Sequence, residues 1–412
     1  MQKAKLPPLF LSVTIKHHSM NVTSQNRNSA SEDRLAFIVL CLGFVLTGVV
    51  TVLIGQVLPV FINRWGMSDQ LAGFFFTTQF LGSLLGTLLS SVIVQAKGFR
   101  YAIVLGFLMM ALGVAALNLG DKLIAFAAVA AYGGGYGLVV PGTNLWVAEN
   151  SGNRSAAALS VLNLAWGIGA VSCPGLILFA IRTHSLSLVL YLIAAVAAGL
   201  SLSLLRTSLD SKAAAAPATN AAAYTPDTGF FIVAALSALF FVYVGNETGI
   251  SGWAAAFAKR LDVPGGTRYV LAPTFFFAAL LGGRGLASFV LLRVKEHWVA
   301  IFGLVLAAAG NFTLLRSTSV TQAIASVTVI GFGLSSLYPI YIAWLSKWFG
   351  ARARRVGGVL FSFGALGGAI PPWLVGIVST HAGGLQYGLL VPLVSSVTML
   401  LIVGMLRKQF RA

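Results

Sequence analysis

The stretch GFFIVAALSALFFVYVGNETGISGWAAAFA, from Gly229 to Ala258, decides the fold of this chain. It contains one charged side chain, Glu247, and it exceeds the ~20 apolar residues that a helix needs to cross a bilayer. The stretch therefore predicts a membrane-spanning helix. A charge at that depth costs about 2.5–3.5 kcal/mol on insertion scales and usually faces a cavity or a partner. Gly245 and Gly249 flank Glu247 and favour a local break in the helix there.

Apolar stretches of similar length recur along nearly the whole chain. Of its 412 residues, 58% are hydrophobic and only 9% are charged, which is unlike a soluble domain. The pattern predicts an all-α membrane protein with twelve transmembrane helices, which we number as spans 1–12. Their predicted ranges are 35–61, 70–94, 101–119, 123–148, 155–181, 185–205, 229–258, 269–292, 297–315, 319–346, 356–380 and 385–406.

The formal net charge of +17 indicates a membrane orientation rather than nucleic-acid binding, because of where the charges lie. With the N-terminus in the cytoplasm, seven of the 27 Lys and Arg residues fall on the outer side: Arg64, Lys122, Arg182, Lys259, Arg260, Arg268 and Arg316. The remaining twenty fall on the cytoplasmic side, as the positive-inside rule requires. We therefore expect an integral protein of a bacterial-type cytoplasmic (inner) membrane, with both termini cytoplasmic and no nucleic-acid partner.

Two polar segments interrupt the apolar pattern. Residues 1–34 lack the basic start, apolar run and cleavage site of a signal peptide, so we expect a disordered cytoplasmic tail, with Met20 as an alternative start. Residues 207–228 are rich in Ala, Pro and Thr, which is typical of a linker. This cytoplasmic linker divides the chain into an N-terminal six-helix bundle, 35–206, and a C-terminal six-helix bundle with a short tail, 229–412.

The two halves also match each other in sequence. The matching motifs are Gly135-Tyr136-Gly137 with Pro141 and Gly331-Phe332-Gly333 with Pro339, and then Trp166-Gly167 with Ala170 and Pro174 and Phe363-Gly364 with Gly367 and Pro371. They lie about 197 residues apart, as from Trp166 to Phe363. A parallel six-plus-six repeat predicts two pseudo-symmetric six-helix bundles, the architecture of major facilitator transporters.

Five spans carry short motifs that share one resemblance. They are Leu58-Pro59, Gly135-Tyr136-Gly137 with Asn144, Phe241-Val242-Tyr243-Val244-Gly245 with Thr248, Gly283-Arg284 and Tyr338-Pro339-Ile340. The motifs resemble those of the fucose–proton symporter family of the major facilitator superfamily, and the span 7 motif is the most specific. The resemblance extends over nearly all twelve spans. It implies the major facilitator fold and transport of a sugar with protons.

The chain departs from this family at positions that bear on mechanism. Where the family's fucose transporter has acidic residues in spans 1 and 4, this chain has Gly55 and Val140. In span 7 it has Glu247 where that transporter has glutamine. The two acids that the resemblance implicates in proton coupling and sugar recognition are therefore absent, and Glu247 is the remaining intramembrane carboxylate.

A sugar site needs neutral hydrogen-bonding side chains and aromatic rings near the membrane midplane, between the two bundles. Residues of these types at that depth form the candidate substrate-binding set: Gln56, Gln79, Asn144, Asn163, Trp166, Asn246, Trp253, Tyr338 and Tyr341. Several have structural alternatives. Asn144 and Asn163 can hydrogen-bond between helices, Trp253 can lie at the outer membrane interface, and Tyr338 can satisfy a carbonyl freed by its neighbouring proline.

Glu247 and Arg284 are the candidate residues for proton coupling. A carboxylate in a low-dielectric setting favours its protonated form, so Glu247 can take up and release a proton as access alternates. The alternative is a permanent ion pair with Arg284, which lies near mid-depth on the adjacent span. The two roles are compatible if the pair breaks during transport.

These features predict a secondary active transporter for a small polar solute, with a monosaccharide as first choice and with protons or sodium as the coupling ion. The alternative is efflux of hydrophobic drugs or metabolites, which predicts a cavity rich in Met and Phe. A membrane-embedded enzyme is a remote alternative, because the sequence lacks mid-depth histidines and paired acids. We expect no enzymatic activity, cofactor or metal. The predicted partners are the solute, the ion and the lipid bilayer, and the protein is expected to be a monomer.

Overall fold

The computed structural model describes residues 12–207, 209 and 226–406. Within these ranges the chain is helical and contains no strand, and twelve helical segments are long and apolar enough to cross a membrane. The prediction of twelve transmembrane helices is therefore confirmed. Most of the predicted linker and the C-terminal residues 407–412 lie outside the described residues.

Ten of the twelve spans consist of one α-helix each. For spans 1–9 and 11 these helices are Ser12–Trp65, Asp69–Lys97, Phe99–Ala116, Lys122–Asn150, Ser155–Arg182, Leu186–Leu205, Pro226–Leu261, Leu271–Val290, Glu296–Leu315 and Ala353–Ala382. Span 10 consists of Val320–Leu334 and Leu337–Phe349, and span 12 of Leu385–Gly388 and Leu390–Leu406. Short 3-10 turns occur at Leu117–Leu119, Gly152–Arg154, Arg268–Val270 and Gly350–Arg352.

The outer surface of the helical body is apolar. Large side chains such as Leu112, Leu202, Phe302 and Leu401 are exposed there. A soluble monomer rarely exposes a continuous apolar surface of this kind. Lipid chains, which are themselves apolar, are the natural neighbours of such a surface, and the protein is an integral membrane protein.

Span 1 begins earlier than the sequence predicts. Its helix is continuous from Ser12 to Trp65, so the expected disordered tail is helical over residues 12–34. The polar residues of this segment show no apolar periodicity, and the sequence pattern therefore does not reveal a helix. Once the apolar part of span 1 is helical, each preceding residue extends an existing helix and needs no new nucleus.

Span 7 is one unbroken helix, so the predicted break beside Glu247 does not occur. The neighbouring Gly245 has a packing role instead. A Cβ atom on Gly245 would lie 2.5 Å from Cγ of Pro371 in span 11. Glycine is required here because spans 7 and 11 approach each other closely, as small residues allow in membrane helices.

The two halves repeat the same helix contacts. In the N-terminal half, Gly135 of span 4 packs against the backbone oxygen of Gly106 in span 3. In the C-terminal half, Gly333 of span 10 packs in the same way against Gly303 in span 9. Gly333 is therefore the structural counterpart of Gly135, which corrects the predicted pairing of Gly135 with Gly331. The glycine run around Gly135 permits both registers in sequence, and only the packing distinguishes them.

The halves approach each other closely at one end of the molecule. Because the number of spans is even, span 1 begins and span 12 ends on one face, which we call the terminal face. Towards the opposite face, a Cβ atom on Gly55 in span 1 would lie 2.8 Å from Cα of Gly252 in span 7. A Cβ atom on Gly73 in span 2 would lie 3.0 Å from Cα of Trp373 in span 11. Backbone therefore meets backbone across the two halves at these points.

A polar cluster joins the halves at the opposite face. Asp69, at the start of span 2, forms an ion pair with Arg260 near the end of span 7 and accepts a hydrogen bond from Ser379 in span 11. The Asp69 side chain is only 9% exposed, whereas that of Arg260 is 40% exposed. This cluster, which we call the Asp69 cluster, ties one element of the N-terminal half to two elements of the C-terminal half.

Candidate functional site

A cavity of about 700 Å³ lies between the two halves. Its wall is formed by spans 1, 2, 4 and 5 on one side and by spans 7, 8, 10 and 11 on the other. These are equivalent spans of the two repeats. The volume is in the range of about 300–1,000 Å³ that is typical of small-molecule sites.

The cavity extends towards the terminal face. Its lining includes Leu88 late in span 2, Leu159 early in span 5, Ile342 late in span 10 and Phe361 early in span 11. Odd-numbered spans begin and even-numbered spans end at the terminal face, so all four residues lie on that side. Towards the opposite face, the close approach of spans 1 and 7 and of spans 2 and 11 narrows the space between the halves.

Glu247 and Arg284 are the only charged residues on the part of the cavity wall that the structure describes. They do not form a direct ion pair within 4.0 Å. Tyr243 is engaged by both charges: its hydroxyl accepts a hydrogen bond from Nη2 of Arg284 at 3.4 Å, and it interacts with Glu247 one helical turn further along span 7. The structure therefore contains a charge–tyrosine–charge arrangement in place of the direct pair considered from the sequence.

Three tyrosines from different elements share the cavity wall with Glu247. They are Tyr136 of span 4, Tyr243 of span 7 and Tyr338 of span 10. The ring centroids of Tyr243 and Tyr338 are 5.9 Å apart. The site thus offers hydroxyl groups that both donate and accept hydrogen bonds, together with flat apolar faces.

Tyr136 and Tyr243 line the cavity but are absent from the set predicted from the sequence. Tyr243 could have been predicted from Glu247, because the two residues are four apart in span 7 and residues four apart share a helix face. Tyr136 lies within the repeated glycine motif of span 4. From the sequence, this motif indicates the internal repeat and the family resemblance, whereas in the structure Tyr136 lines the cavity.

The N-terminal half contributes a second polar group to the wall. Nε1 of Trp166 lies 3.5 Å from Oγ1 of Thr51 and donates to it, and the Tyr136 hydroxyl interacts with both side chains. The Trp166 ring meets Phe277 of span 8 edge-on, with 6.3 Å between ring centroids. Trp166 therefore belongs to the wall and also to the contact between the halves.

The structure brings six of the predicted residues to the cavity. They are Asn144, Asn163, Trp166, Tyr338, Glu247 and Arg284. The other five lie elsewhere, which corrects the predicted set: Gln56, Gln79, Asn246, Trp253 and Tyr341.

Gln56 and Gln79 are buried inside the N-terminal half. Nε2 of Gln79 donates to the backbone oxygen of Thr51 at 2.8 Å, and its Oε1 accepts from the Tyr132 hydroxyl at 3.1 Å. These bonds connect spans 1, 2 and 4. Gln56 is fully buried, and its nearest acceptor is the backbone oxygen of Val52, one turn earlier in its own helix, at 3.5 Å.

Asn246 is fully buried and connects spans within the C-terminal half. Its Nδ2 donates to Oγ of Ser396 at 2.7 Å and to the backbone oxygen of Pro392 at 3.0 Å, both in span 12. Asn311 of span 9 donates to the same Ser396 hydroxyl at 3.1 Å. Asn246 therefore holds helices together, although it is the immediate neighbour of Glu247.

Trp253 and Tyr341 are fully buried as well. Nε1 of Trp253 donates to the backbone oxygen of Pro372 at 2.8 Å, so this ring belongs to the closure between spans 7 and 11. The Tyr341 hydroxyl points away from the cavity and lies 3.9 Å from Sδ of Met399 in span 12. Neither side chain lines the cavity, because the packing of their helices turns both away from the central space.

Two six-span repeats with a cavity between them have the architecture of major facilitator transporters. The sequence model of the Major Facilitator Superfamily matches residues 40–296. The chain therefore belongs to the Major Facilitator Superfamily, whose members are transporters, and the prediction that it is not an enzyme is confirmed. No curated protein matches the chain in sequence.

Solved structures with the same fold include three transporters. A bacterial homologue of the human lysosomal transporter Spinster, in an inward-facing and occupied conformation, has a TM-score of 0.74 at 15% identity, covering 91% of this chain and 97% of that one. A D-xylose–proton symporter has a TM-score of 0.71 at 15% identity, with coverages of 89% and 96%. The E. coli fucose:proton symporter has a TM-score of 0.60 at 18% identity, with coverages of 92% and 98%. The predicted major facilitator fold and the resemblance to the fucose–proton symporter are confirmed.

Proposed function

We propose that this protein is a proton-coupled secondary transporter that moves a monosaccharide across the cytoplasmic membrane by alternating access. The observation that carries the proposal is the cavity between the repeats, whose wall contains one carboxylate, Glu247, and three tyrosines. Hydroxyl groups and aromatic rings suit the hydroxyls and ring faces of a sugar. Glu247 supplies the group that can carry a proton with it.

The distribution of Lys and Arg supports an orientation with the terminal face in the cytoplasm. In this orientation the cavity is directed inwards and the Asp69 cluster closes the outer side. The protein then belongs in a bacterial-type cytoplasmic (inner) membrane. Since the cavity lies wholly within one chain, a monomer suffices for transport.

We assign the roles by position on the wall. Tyr136, Tyr243 and Tyr338 bind the solute close to Glu247, and Trp166 provides a ring face from the other half. Asn144 and Asn163 contribute amide groups on the same wall. Because both halves contribute, a change in their relative position changes the affinity for the solute, which alternating access requires.

Uptake into proteoliposomes tests this proposal. Purified full-length protein is reconstituted, and the uptake of labelled hexoses is followed with an inward proton gradient, with an inward sodium gradient and with no gradient. We expect accumulation with the proton gradient alone. If accumulation occurs only with the sodium gradient, sodium and not the proton is the coupling ion. If no hexose is taken up under any of the three conditions, the proposal is wrong.

Efflux of hydrophobic compounds is a second candidate, and one observation favours it. Six phenylalanines line the cavity, as that function predicts: Phe44, Phe76, Phe80, Phe240, Phe277 and Phe361. No methionine is among the lining residues of the described chain. Expression in a host that lacks its own efflux pumps distinguishes the two functions. Raised resistance to several hydrophobic compounds, without hexose uptake in proteoliposomes, favours efflux.

A further inference from the structure

Arg284 lacks a full set of partners on the cavity wall. Its Nη2 donates to the Tyr243 hydroxyl at 3.4 Å, whereas its Nε is buried and has no hydrogen-bond partner. Among the described residues, no carboxylate lies within 4.0 Å of the guanidinium. An arginine at membrane depth is costly when no carboxylate is hydrogen-bonded to it, so packing alone does not account for Arg284.

The guanidinium is placed to meet a ligand. Arg284 lines the cavity. Guanidinium groups bind carboxylates through two parallel, charge-assisted hydrogen bonds. A solute with a carboxylate can thus supply the partner that the protein leaves out.

The charge of Glu247 matters for such a solute because of the groups that share its cavity wall. The titratable groups there are Tyr243 on its own span, Arg284 on span 8, Tyr338 on span 10 and Tyr136 on span 4. Arg284 is the one charged group among them. When Glu247 is ionised, it offsets Arg284 and repels an anion. When Glu247 carries a proton, the charge of Arg284 is left to attract the anion.

We propose that the transported solute bears a carboxylate, as a hexuronate or another sugar acid does, and that Arg284 binds this carboxylate while Glu247 holds a proton. The proposal rests on the function proposed above and narrows the monosaccharide to an acidic one. The empty cavity, with Glu247 ionised, is neutral on balance. The cavity with one monoanion and one proton is neutral too.

This charge balance couples the anion to the proton. A cavity that holds only the proton, or only the anion, carries a net charge, and enclosing a net charge in a low-dielectric space is unfavourable. The two neutral states are therefore the ones that can be enclosed between the halves. Because coupling between two ligands is reciprocal, the anion binds more tightly at low pH, and the proton binds more tightly when the anion is present.

Binding to the wild-type protein tests the proposal without any substitution. The affinities of glucuronate and galacturonate are compared with those of glucose and galactose by calorimetry on full-length protein in nanodiscs, at acidic and at alkaline pH. We expect at least one uronate to bind about tenfold or more tightly than its parent hexose at acidic pH, with a smaller preference at alkaline pH. The proposal is overturned if neither uronate binds more tightly than its parent hexose at acidic pH.

Substitutions assign the preference to the two charges. Arg284→Gln is expected to lower the affinity for the uronate to that for the parent hexose. Arg284→Lys is expected to retain part of the preference, because lysine keeps the positive charge but cannot donate two parallel hydrogen bonds. Glu247→Gln is expected to remove the pH dependence of uronate binding. Arg316→Gln, at an exposed arginine that is not on the cavity wall, is the matched control. A folded Arg284→Gln protein that keeps the uronate preference overturns the assignment.

Uptake measurements distinguish the carboxylate proposal from the broader proposal of proton-coupled monosaccharide transport. If proteoliposomes accumulate neutral hexoses and not uronates, the carboxylate proposal is wrong and the proposed function stands. If uronates bind with the expected preference but are not accumulated with a proton gradient, proton-coupled transport is wrong and the ligand assignment stands. If neither series binds or is accumulated, both are wrong.

Discussion

Glu247 is the one carboxylate on the described part of the cavity wall, which it shares with Tyr136, Tyr243, Tyr338 and Arg284. Glu247→Gln keeps the size and most of the hydrogen-bonding capacity of the side chain but fixes a neutral state. We expect this variant to lose accumulation of solute with a proton gradient. Exchange of internal for external solute should continue, because exchange moves no net proton.

The matched control for this variant is Glu296→Gln. Glu296 lies at the start of span 9, outside the cavity lining, and accepts a hydrogen bond from Nε1 of Trp344 at 2.8 Å. A glutamine oxygen can accept the same bond, so accumulation should be retained. Proton-driven accumulation by Glu247→Gln at the wild-type level shows that the coupling site lies elsewhere.

Tyr243 is engaged by both charges of the wall and helps to set their positions. Tyr243→Phe keeps the ring and removes the hydroxyl that accepts from Arg284. A hydrogen bond to a charged group contributes about 1.5–3 kcal/mol, so we expect solute affinity to fall by about tenfold or more. Calorimetric titration of the purified variant measures the change.

Tyr341→Phe provides the comparison for Tyr243→Phe. The Tyr341 hydroxyl lies against Met399 and does not line the cavity, so its loss should leave the affinity near the wild-type value. Equal losses of affinity in the two variants contradict the site assignment and indicate a general effect of removing buried hydroxyls.

At the level of single helices, the sequence predicts the existence of a span much better than the direction of its side chains. Hydrophobic length is a local property, and all twelve spans could be found from it. Helix rotation is set by packing against neighbouring spans. Asn246 and Glu247 are adjacent, but successive residues point about 100° apart around a helix. One therefore meets Ser396 of span 12 and the other meets the cavity.

The structural role of Asn246 leads to a stability prediction. Asn246→Ala removes two hydrogen bonds to span 12. Hydrogen bonds between membrane helices contribute about 0.6 kcal/mol on average and up to about 1.7 kcal/mol, so we expect a lower thermal unfolding temperature in detergent. Solute affinity should stay near the wild-type value. A large loss of solute affinity with unchanged thermal stability contradicts this structural role and indicates that Asn246 binds the solute.

Close helix packing in the N-terminal repeat leads to a second prediction at this scale. Gly135→Ala places a methyl group against the backbone oxygen of Gly106, which cannot move without shifting span 3. Overpacking typically costs about 1–3 kcal/mol, so we expect lower thermal stability. Gly175→Ala is the control, because a Cβ atom there meets nothing within 4 Å. Equal stability of the two variants contradicts the proposed packing of spans 3 and 4.

At the scale of the whole molecule, the repeat determines where the site lies. Equivalent spans of the two halves line the cavity, and the remaining four spans contribute no residue of the described wall. The six-plus-six pattern could therefore be used to predict a central site. The sequence does not show which end is closed, because closure depends on how the two halves are tilted, and both tilts use the same helices.

The Asp69 cluster is expected to help keep the opposite face closed. The Asp69 carboxylate pairs with Arg260 and accepts a hydrogen bond from Ser379. Asp69→Asn removes the charge interaction and so weakens the contact between the halves at the opposite face. An interaction made in only one of two states shifts their populations by its full free energy, and about 1.4 kcal/mol corresponds to tenfold.

Spin labels at Leu123 and Val263, which are exposed on the two halves near that face, report the opening as a longer distance. We expect Asp69→Asn to raise the long-distance population about tenfold or more. Asp121→Asn, which keeps an oxygen for capping span 4 and has no contact across the halves, should leave it unchanged. An unchanged distance distribution in Asp69→Asn means that backbone packing of spans 1 with 7 and 2 with 11 closes this face without help from the ion pair.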